Sequence, residues 1–192
     1  MVSAVLVEAL RADYWKPVQA GDLEYSDSDK VRDLISNTQT VIHPNSYALK
    51  TPMSPHAAAD IDGVRIDLDN IIPPITENHL IIEGAGGLLV PLNESGTIMD
   101  LIRADYEVVI VSRHYLGSIN HTLLTILALE ERGFSPYLIF SGDPHPTTES
   151  IISKKTNTPV LGRIEEQSGF DRKGVRELAL QLRPALESWL FP

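Results

Sequence analysis

The chain has 192 residues, of which 43% are apolar and 22% are charged, and this length and composition fit one globular α/β domain. A formal net charge of −10 opposes binding to nucleic acid or to an anionic membrane, and no apolar run approaches the roughly 20 residues that span a bilayer. The sequence has no cysteine, which excludes disulfides, thiolate metal sites and cysteine nucleophiles and suits the cytoplasm.

Apolar periodicity predicts helices that alternate with strands, most clearly in the second half of the chain. The predicted helices cover residues 2–11, 28–37, 67–75, 118–132, 147–155 and 173–190. The predicted strands cover residues 13–18, 80–82, 108–111, 137–140 and 160–161, and the stretch 43–59 is rich in proline. Such alternation is typical of a parallel sheet with helices on both faces, where ligands bind at the carboxyl ends of the strands. We predict a single domain over residues 1–192.

A carboxylate ends the clearest predicted strand. Glu83 follows the apolar run Leu80–Ile82 and precedes Gly84, Ala85, Gly86 and Gly87. Glycines permit the close approach of a ligand to the backbone, and Mg²⁺ binds one or two carboxylates together with phosphate oxygens. The alternative is a glycine turn beside a solvated acid, but the end of a strand favours a ligand site.

Other charged residues have two interpretations each. Lys16 precedes Pro17 in a predicted strand and could bind phosphate as a point charge, although alone it is better explained as an edge lysine that prevents strand aggregation. Asp27 and Asp29 open the next predicted helix, where acids usually complement the helix dipole. A metal-binding carboxylate is the alternative for either acid.

Two further segments are candidates for substrate contact. The stretch 116–121 leads into a long predicted helix, whose first backbone N–H groups form an anion site that is compatible with capping by Ser118. The sequence Ser54-Pro55-His56 is a weaker signal, because no nucleophile is paired with the histidine, and we favour a loop or substrate-contact role.

Taken in order, these segments resemble the dethiobiotin synthetase family over nearly the whole chain. The EGAGG motif at 83–87 and the LGSINHT motif at 116–122 are specific together, whereas KPV at 16–18 alone is weak. The remaining matching segments are KPVQAG at 16–21, Ser28-Asp29, Ser54-Pro55-His56, Pro91-Leu92, and, in the family's nucleotide-base region, Gly142-Asp143-Pro144 and 161–164.

The resemblance implies a P-loop NTPase-like three-layer α/β/α fold with a mostly parallel sheet, and a cytoplasmic homodimer of biotin biosynthesis. The family uses ATP, Mg²⁺ and CO₂ to close a ureido ring on 7,8-diaminononanoate. The diamine forms a carbamate, the carbamate attacks the γ-phosphate of ATP, and the resulting mixed anhydride cyclises.

The resemblance also implies roles for individual residues. Lys16 would contact the carbamate and the γ-phosphate, and Asp29 and Glu83 would hold Mg²⁺ as part of the nucleotide site. The other implied nucleotide contacts are Gly84, Gly86, Gly87, Ser141 and Asp143. The implied substrate contacts are Ser54, at the diamine, and Gly117, Ser118, Ile119 and Asn120, which would receive the substrate carboxylate across the dimer interface.

The sequence departs from the family pattern in two ways. It contains no phosphate loop of the form G-x-x-x-x-x-G-K-T, and residues 2–10 resemble the helix that follows that loop. Measured against the family, we therefore expect the first strand and the phosphate loop to be missing from this sequence. Ser141 stands where the family often has an asparagine that reads adenine. We therefore expect the 192-residue form to bind ATP poorly and to turn over slowly, and full activity beside a form extended by the loop would contradict this expectation.

Two other functions stay open at this point. One is a catalytically inactive dimeric homologue that keeps the diamine pocket. Calorimetry would identify it if the chain binds the diamine and nucleotide does not increase the affinity. The other is a partitioning-type ATPase of the same fold class. The acidic charge and the absence of a basic or amphipathic tail argue against this second alternative.

Overall fold

The computed structural model describes residues 1–166 and 169–190. Its helices are α1 Val2–Leu10, α2 Asp27–Leu34, α3 Pro55–Asp62, α4 Ser118–Glu131, α5 Pro146–Thr156 and α6 Arg172–Leu190. Its strands are β1 Asp13–Trp15, β2 Val18–Ala20, β3 Ile42–His43, β4 Tyr47–Leu49, β5 Leu80–Ile82, β6 Val109–Arg113, β7 Tyr137–Ser141 and β8 Val160–Ile164.

The described residues divide into two compact units. The first contains Met1 and residues 3–103 and 171–176, and the second contains Val2 and the remaining described residues. The expectation of a single domain stays a prediction. No helix within residues 1–166 and 169–190 combines the length and the apolar character needed to cross a bilayer.

Parallel pairing organises the first unit. Strand β1 lies between β3 and β5, with Tyr14 opposite both Ile42 and Ile81, and β2 pairs with β4. All pairings between these named strands are parallel, as the alternation of elements predicted. The carboxyl ends of β1, β3 and β5 therefore lie at one edge of the sheet that these strands form.

The predicted strand 13–18 is interrupted at Lys16 and Pro17. Proline has no backbone N–H to continue a ladder, and its carbonyl accepts the backbone N–H groups of Ser46 at 2.8 Å and Tyr47 at 3.1 Å. The Asn45 side-chain amide donates to the Lys16 carbonyl at 2.6 Å. The chain thus leaves the β1 ladder at Lys16 and enters the β2–β4 pair, so the prediction of one continuous strand is wrong.

Prolines also shape two other segments. The proline-rich stretch 43–59 contains β4 and the start of helix α3, in which Pro55 occupies the first turn, where its missing N–H costs nothing. The predicted helix over 67–75 is only the 3₁₀ turn Leu68–Asn70, since Pro73 and Pro74 cannot continue a helix.

One apolar cluster fixes β1, β2, β4 and α3 to each other. Because alternate residues of a strand point to opposite faces, Trp15 enters this cluster while Tyr14 and Lys16 face the other side. The buried members are Trp15, Val18, Leu49, Ala58, Ala59, Ile66, Ile71 and Leu92.

The second unit is a three-stranded parallel sheet of order β6-β7-β8, against which α4 packs. Leu138, Ile139 and Phe140 of the central strand are buried. The predicted strand and helix positions of this half are confirmed to within a few residues at their ends. Loops after β6, β7 and β8 lie at the carboxyl edge of this sheet.

Candidate functional site

Lys16 lies directly after β1, with its ammonium between two carboxylates. Its Nζ atom lies 2.7 Å from Oδ2 of Asp27 and 3.1 Å from Oε1 of Glu83, and its side chain is only 7% exposed. Trp15 pairs with Ile82, so Lys16 and Glu83 follow paired residues of neighbouring strands. The backbone N–H of Glu83 also donates to the Trp15 carbonyl at 2.9 Å. The sheet therefore brings together the lysine and the strand-end acid that the sequence singled out.

Mutual attraction keeps Lys16 and Asp27 ionised. Burial alone would lower the pKa of Lys16, but the charge of Glu83 and the hydrogen bond and charge of Asp27 together raise it above its usual value. Burial likewise opposes ionisation of Asp27, yet its hydrogen bonds and charge interactions with Lys16 and Lys30 lower its pKa. Lys30 Nζ lies 3.1 Å from Oδ1 of Asp27. The site consequently carries a fixed positive charge held by acids.

The second oxygen of Glu83 is bound by hydroxyl groups. Tyr14 donates its hydroxyl to Oε2 at 3.0 Å, and the Ser3 hydroxyl donates to the same oxygen. Burial and the Glu83 charge raise the pKa of Tyr14, so the phenol stays protonated and can donate. Each oxygen of Glu83 thus has its own donors.

The structure places Asp27, and not Asp29, beside Lys16. The Asp29 carboxylate belongs to a capping box, in which it accepts the Ser26 backbone N–H at 2.9 Å and the Ser26 hydroxyl at 2.6 Å, and it also pairs with Arg32. Hydrogen bonds from the Ser26 side chain and backbone are the main cause of its lowered pKa. The metal and nucleotide role assigned to Asp29 stays a prediction.

The sequence did contain the signal that separates these two acids. A serine followed three residues later by an acid is the pattern of a capping box, and Ser26 and Asp29 have that spacing. Asp29 is therefore the acid that the helix start uses, and Asp27, the first residue of α2, is left to project toward Lys16.

The glycine segment after Glu83 packs closely. Gly86 has a φ of +84°, and a Cβ atom there would lie 3.0 Å from a Val90 methyl group. A Cβ at Gly84 would lie 3.1 Å from an Ile98 methyl group, whereas Gly87 has open space. Larger residues would strain this turn at Gly86. The nucleotide role of Gly84, Gly86 and Gly87 stays a prediction.

Ser54 caps the start of α3 by position, without a side-chain capping bond. Its exposed hydroxyl lies 3.2 Å from Nδ1 of His56. The His56 backbone N–H donates to the Pro91 carbonyl at 3.3 Å. The serine and histidine of this segment thus face each other across the helix start, and the substrate role of Ser54 stays a prediction.

In the second unit, Gly117 rather than Ser118 occupies the cap of α4. Gly117 has a φ of +103°, a left-handed conformation that favours glycine, and Ser118 is the first helical residue with only 3% exposure. Ile119 and Asn120 are exposed in the first turn, where backbone N–H groups lack partners within the helix. This geometry suits an anion, and the substrate role of these four residues stays a prediction.

Ser141 ends β7, and Asp143 is exposed in the loop that follows. Gly142, between them, has a φ of +104° and donates its N–H to the Ile164 carbonyl at 3.0 Å. This bond fastens the loop to the end of β8. The nucleotide role of Ser141 and Asp143 stays a prediction.

A charged network that the sequence did not reveal surrounds Glu149 in the first turn of α5. The carboxylate accepts the His145 backbone N–H at 2.8 Å, lies 2.9 Å from Nε2 of His114, and pairs with Arg163. Burial would raise the pKa of Glu149, but the Arg163 and His145 hydrogen bonds outweigh it and lower the pKa to about 2. His114 stacks on Phe140 with ring centroids 5.6 Å apart. No spacing in the sequence links these residues, which come from three separate segments.

Asp27 and Glu83 are the residues that could hold a metal ion in the first unit. One oxygen of each contacts the Lys16 ammonium, and Mg²⁺ binds one or two carboxylates and completes its shell with water and phosphate oxygens. In the part of the chain that the structure describes, no group of three or more histidine, aspartate or glutamate side chains could hold a metal by itself. The pair fits a metal that arrives with a phosphate group.

Comparison with known proteins decides the family. The family model described as an AAA domain matches residues 1–173. The chain is 58% identical over 187 residues to the ATP-dependent dethiobiotin synthetase BioD of Christiangramia forsetii, covering 97% of the chain and 90% of the relative. The chain belongs to the dethiobiotin synthetase family.

Two other members support the assignment. The dethiobiotin synthetase of Cytophaga hutchinsonii is 48% identical, with 95% of the chain and 89% of the relative covered. That of Paramagnetospirillum magneticum is 41% identical, with 86% and 80% covered. Family membership confirms the predicted P-loop NTPase-like α/β/α fold class, to which the parallel sheets and flanking helices correspond.

Proposed function

We propose that the chain catalyses the ATP-dependent closure of 7,8-diaminononanoate and CO₂ to dethiobiotin, with Lys16, Asp27 and Glu83 at the centre of the reaction site. The observation that carries this assignment is the buried Lys16 ammonium held between two carboxylates at the carboxyl edge of a parallel sheet. The names of its relatives, ATP-dependent dethiobiotin synthetases, support the overall reaction.

Lys16 supplies positive charge where the reaction develops negative charge. When a carbamate attacks the γ-phosphate of ATP, charge spreads over the oxygens of the transferred phosphoryl group. An ammonium that is already held in place by Asp27 and Glu83 stabilises that charge without reorganising at the moment of reaction. The same ammonium attracts the carbamate before the attack.

Asp27 and Glu83 would hold Mg²⁺, which when bound neutralises charge on the nucleotide phosphates. We assign the second carboxylate to Asp27 because the backbone N–H of Ser26 and the side chain of Arg32 already engage Asp29. The glycine turn after Glu83 permits a close approach of the nucleotide. In the second unit we assign Ser141 and Asp143 to the nucleotide base.

The diamine substrate carries a carboxylate that needs a separate binding site. The first turn of α4, from Gly117 to Asn120, offers backbone N–H groups and the positive end of a helix dipole, although the Ser118 N–H already donates to the Tyr115 carbonyl at 3.0 Å. Ser54 would contact the diamine chain.

A homodimer is part of the proposal. Helix α4 and the loop before it expose apolar side chains, which a second copy of the chain would cover. Their exposed fractions are 103% for Leu116, 36% for Ile119, 56% for Leu124 and 53% for Leu127. We also propose a cytoplasmic location, because the reaction belongs to small-molecule biosynthesis. Sedimentation at micromolar concentration tests the dimer, and a Leu124→Glu and Leu127→Glu double variant should sediment as a monomer.

The activity is tested by product formation. The chain is incubated with the diamine, bicarbonate, Mg²⁺ and ATP, and dethiobiotin is measured by mass spectrometry, which also detects slow turnover. We expect product only when all four are present, and Lys16→Met should lower the rate at least about 100-fold. Lys30→Met, which removes a 40% exposed lysine that also pairs with Asp27, is the matched control and should lower the rate less than about threefold. Diamine binding without product, and without a gain in affinity from ATP, would instead favour an inactive homologue.

A further inference from the structure

We propose that Tyr14 is a positioning residue for the reaction site, because its hydroxyl fixes one oxygen of Glu83 so that the other oxygen faces Lys16. The inference rests on the proposed function, which assigns Glu83 and Lys16 to the reaction. It goes further by naming a residue that touches neither substrate and acts through Glu83.

The strand geometry places Tyr14 and Lys16 on the same side of Glu83. These two residues are two positions apart along the extended chain, so their side chains point to the same face, whereas Trp15 points to the opposite face and donates its ring N–H to the Pro44 carbonyl at 3.0 Å. The Tyr14 hydroxyl lies 3.0 Å from Oε2 of Glu83, and Lys16 Nζ lies 3.1 Å from Oε1. One carboxylate is thus held at both of its oxygens from a single neighbouring segment.

The hydroxyl of Tyr14 has a role separate from the packing of its ring. Tyr14 is fully buried, and its backbone N–H donates to the Val41 carbonyl at 2.9 Å, so the sheet and the surrounding apolar atoms already fix the ring. Phenylalanine would satisfy the same packing. Because the last torsion of a glutamate side chain has broad preferences, the carboxylate needs directional donors to keep one orientation. Ser3 is the other donor to Oε2, and it comes from α1.

The test compares Tyr14→Phe with Tyr25→Phe. Tyr25 also donates its hydroxyl to a carboxylate, that of Asp33 at 3.0 Å, but at an exposed position, so it is a matched control. We expect Tyr14→Phe to raise the KM for Mg²⁺·ATP about tenfold, the effect of one lost hydrogen bond to a charged group, with less than about a twofold change in the KM for the diamine. Tyr25→Phe should change neither constant.

A second readout needs no substrate or metal. In the free protein, the Lys16 ammonium should give a proton–nitrogen NMR signal that Lys16→Met removes and that Tyr14→Phe shifts, because Glu83 is released. In a Glu83→Gln background, Tyr14→Phe should shift that signal no further, since Tyr14 acts through the carboxylate. Tyr25→Phe should leave the signal in place.

The outcomes separate this inference from the proposed function. An unchanged Lys16 signal together with an unchanged KM for Mg²⁺·ATP in Tyr14→Phe would overturn the positioning role. A lower melting temperature with equal changes in both KM values would also overturn it, by showing a purely structural effect. If the parent chain forms no product, the proposed function fails, and if Glu83→Gln and Lys16→Met both leave product formation intact, the assignment of these two residues to the reaction fails. In either case the NMR comparison still decides whether Tyr14 orients Glu83.

Discussion

The Lys16 cluster of the first unit and the Glu149 cluster of the second both place charged groups after parallel strands, but their arrangements are opposite. In the first, a cation is held by acids from two other segments. In the second, a single carboxylate is held by donors that include a guanidinium and a backbone N–H. We infer that the acids of the first cluster exchange their side-chain partners for a ligand, whereas the carboxylate of the second cluster stabilises the fold.

The acids of the two clusters differ in whether their hydrogen-bond donors are side chains or backbone N–H groups. The described partners of the Glu83 and Asp27 carboxylates are side chains, which can move when a ligand binds. Asp29 and Glu149 instead accept backbone N–H groups, which cannot move without moving the chain. Proximity to a strand end or a helix start therefore does not by itself make an acid part of a reaction site.

The largest expected change in reaction rate distinguishes two acids of α2, Asp27 and Asp29. Asp27→Asn should lower the rate of dethiobiotin formation at least about 30-fold, because it removes a charge that holds Lys16 and that we propose as a ligand of the nucleotide-bound metal. Asp29→Asn, which changes a capping acid two residues away, should lower it less than about threefold. Steady-state assays of both variants measure the difference, and equal losses in the two variants would contradict the distinction.

The next effect concerns stability. Glu149→Gln removes the charge that pairs with Arg163, so the free energy of unfolding should fall by about 2 kcal/mol. Denaturant titration of the variant and of the parent chain measures it. Arg113→Gln is the control, because its contact with Glu166 is long and exposed and should contribute less than about 0.5 kcal/mol. Equal stability of Glu149→Gln and the parent would contradict the role of this network.

The same carboxylate makes stability depend on pH. The pKa of Glu149 is lowered from 4.5 to about 2 in the folded protein, so its contribution is fully present above pH 4.5 and is lost as the pH falls toward about 2. The stability difference between the parent and Glu149→Gln should therefore shrink across this window. Unfolding curves at several acidic pH values check this, and a difference that stays constant would rule the assignment out.

The smallest effect tests the capping box. Ser26→Ala removes the hydroxyl that bonds to Asp29 and should cost about 1 kcal/mol of stability, with little change in the rate per folded molecule. Thermal unfolding and the product assay measure the two quantities on the same sample. A large loss of rate without a loss of stability would show that this helix start belongs to the reaction site.

The sequence allowed much of this arrangement to be predicted because its signals are local. An apolar run followed by an acid and glycines predicted the β5 strand and the position of Glu83, and the alternation of elements predicted parallel strands. Parallel neighbours then bring Lys16 and Glu83 to one edge. These predictions needed only the periodicity and the order of the elements.

What the sequence did not predict depends on partners that are distant along the chain. Whether Asp27 or Asp29 faces Lys16 is decided by the residue at which α2 begins, and that residue was predicted one position too late. The Glu149 network needs β6, β7 and β8 to lie side by side before His114 and Arg163 can reach the same carboxylate. The break in the first predicted strand likewise arises from the change of pairing partners at Pro17.

The same substitution in both clusters tests whether the Lys16 cluster is the reaction site. Dethiobiotin formation and unfolding free energy are measured for Glu83→Gln and Glu149→Gln. We predict that Glu83→Gln loses at least about 30-fold in rate with a stability change under about 1 kcal/mol, and that Glu149→Gln shows the reverse pattern. A Glu83→Gln variant that keeps its full rate would contradict the assignment of the Lys16 cluster as the reaction site.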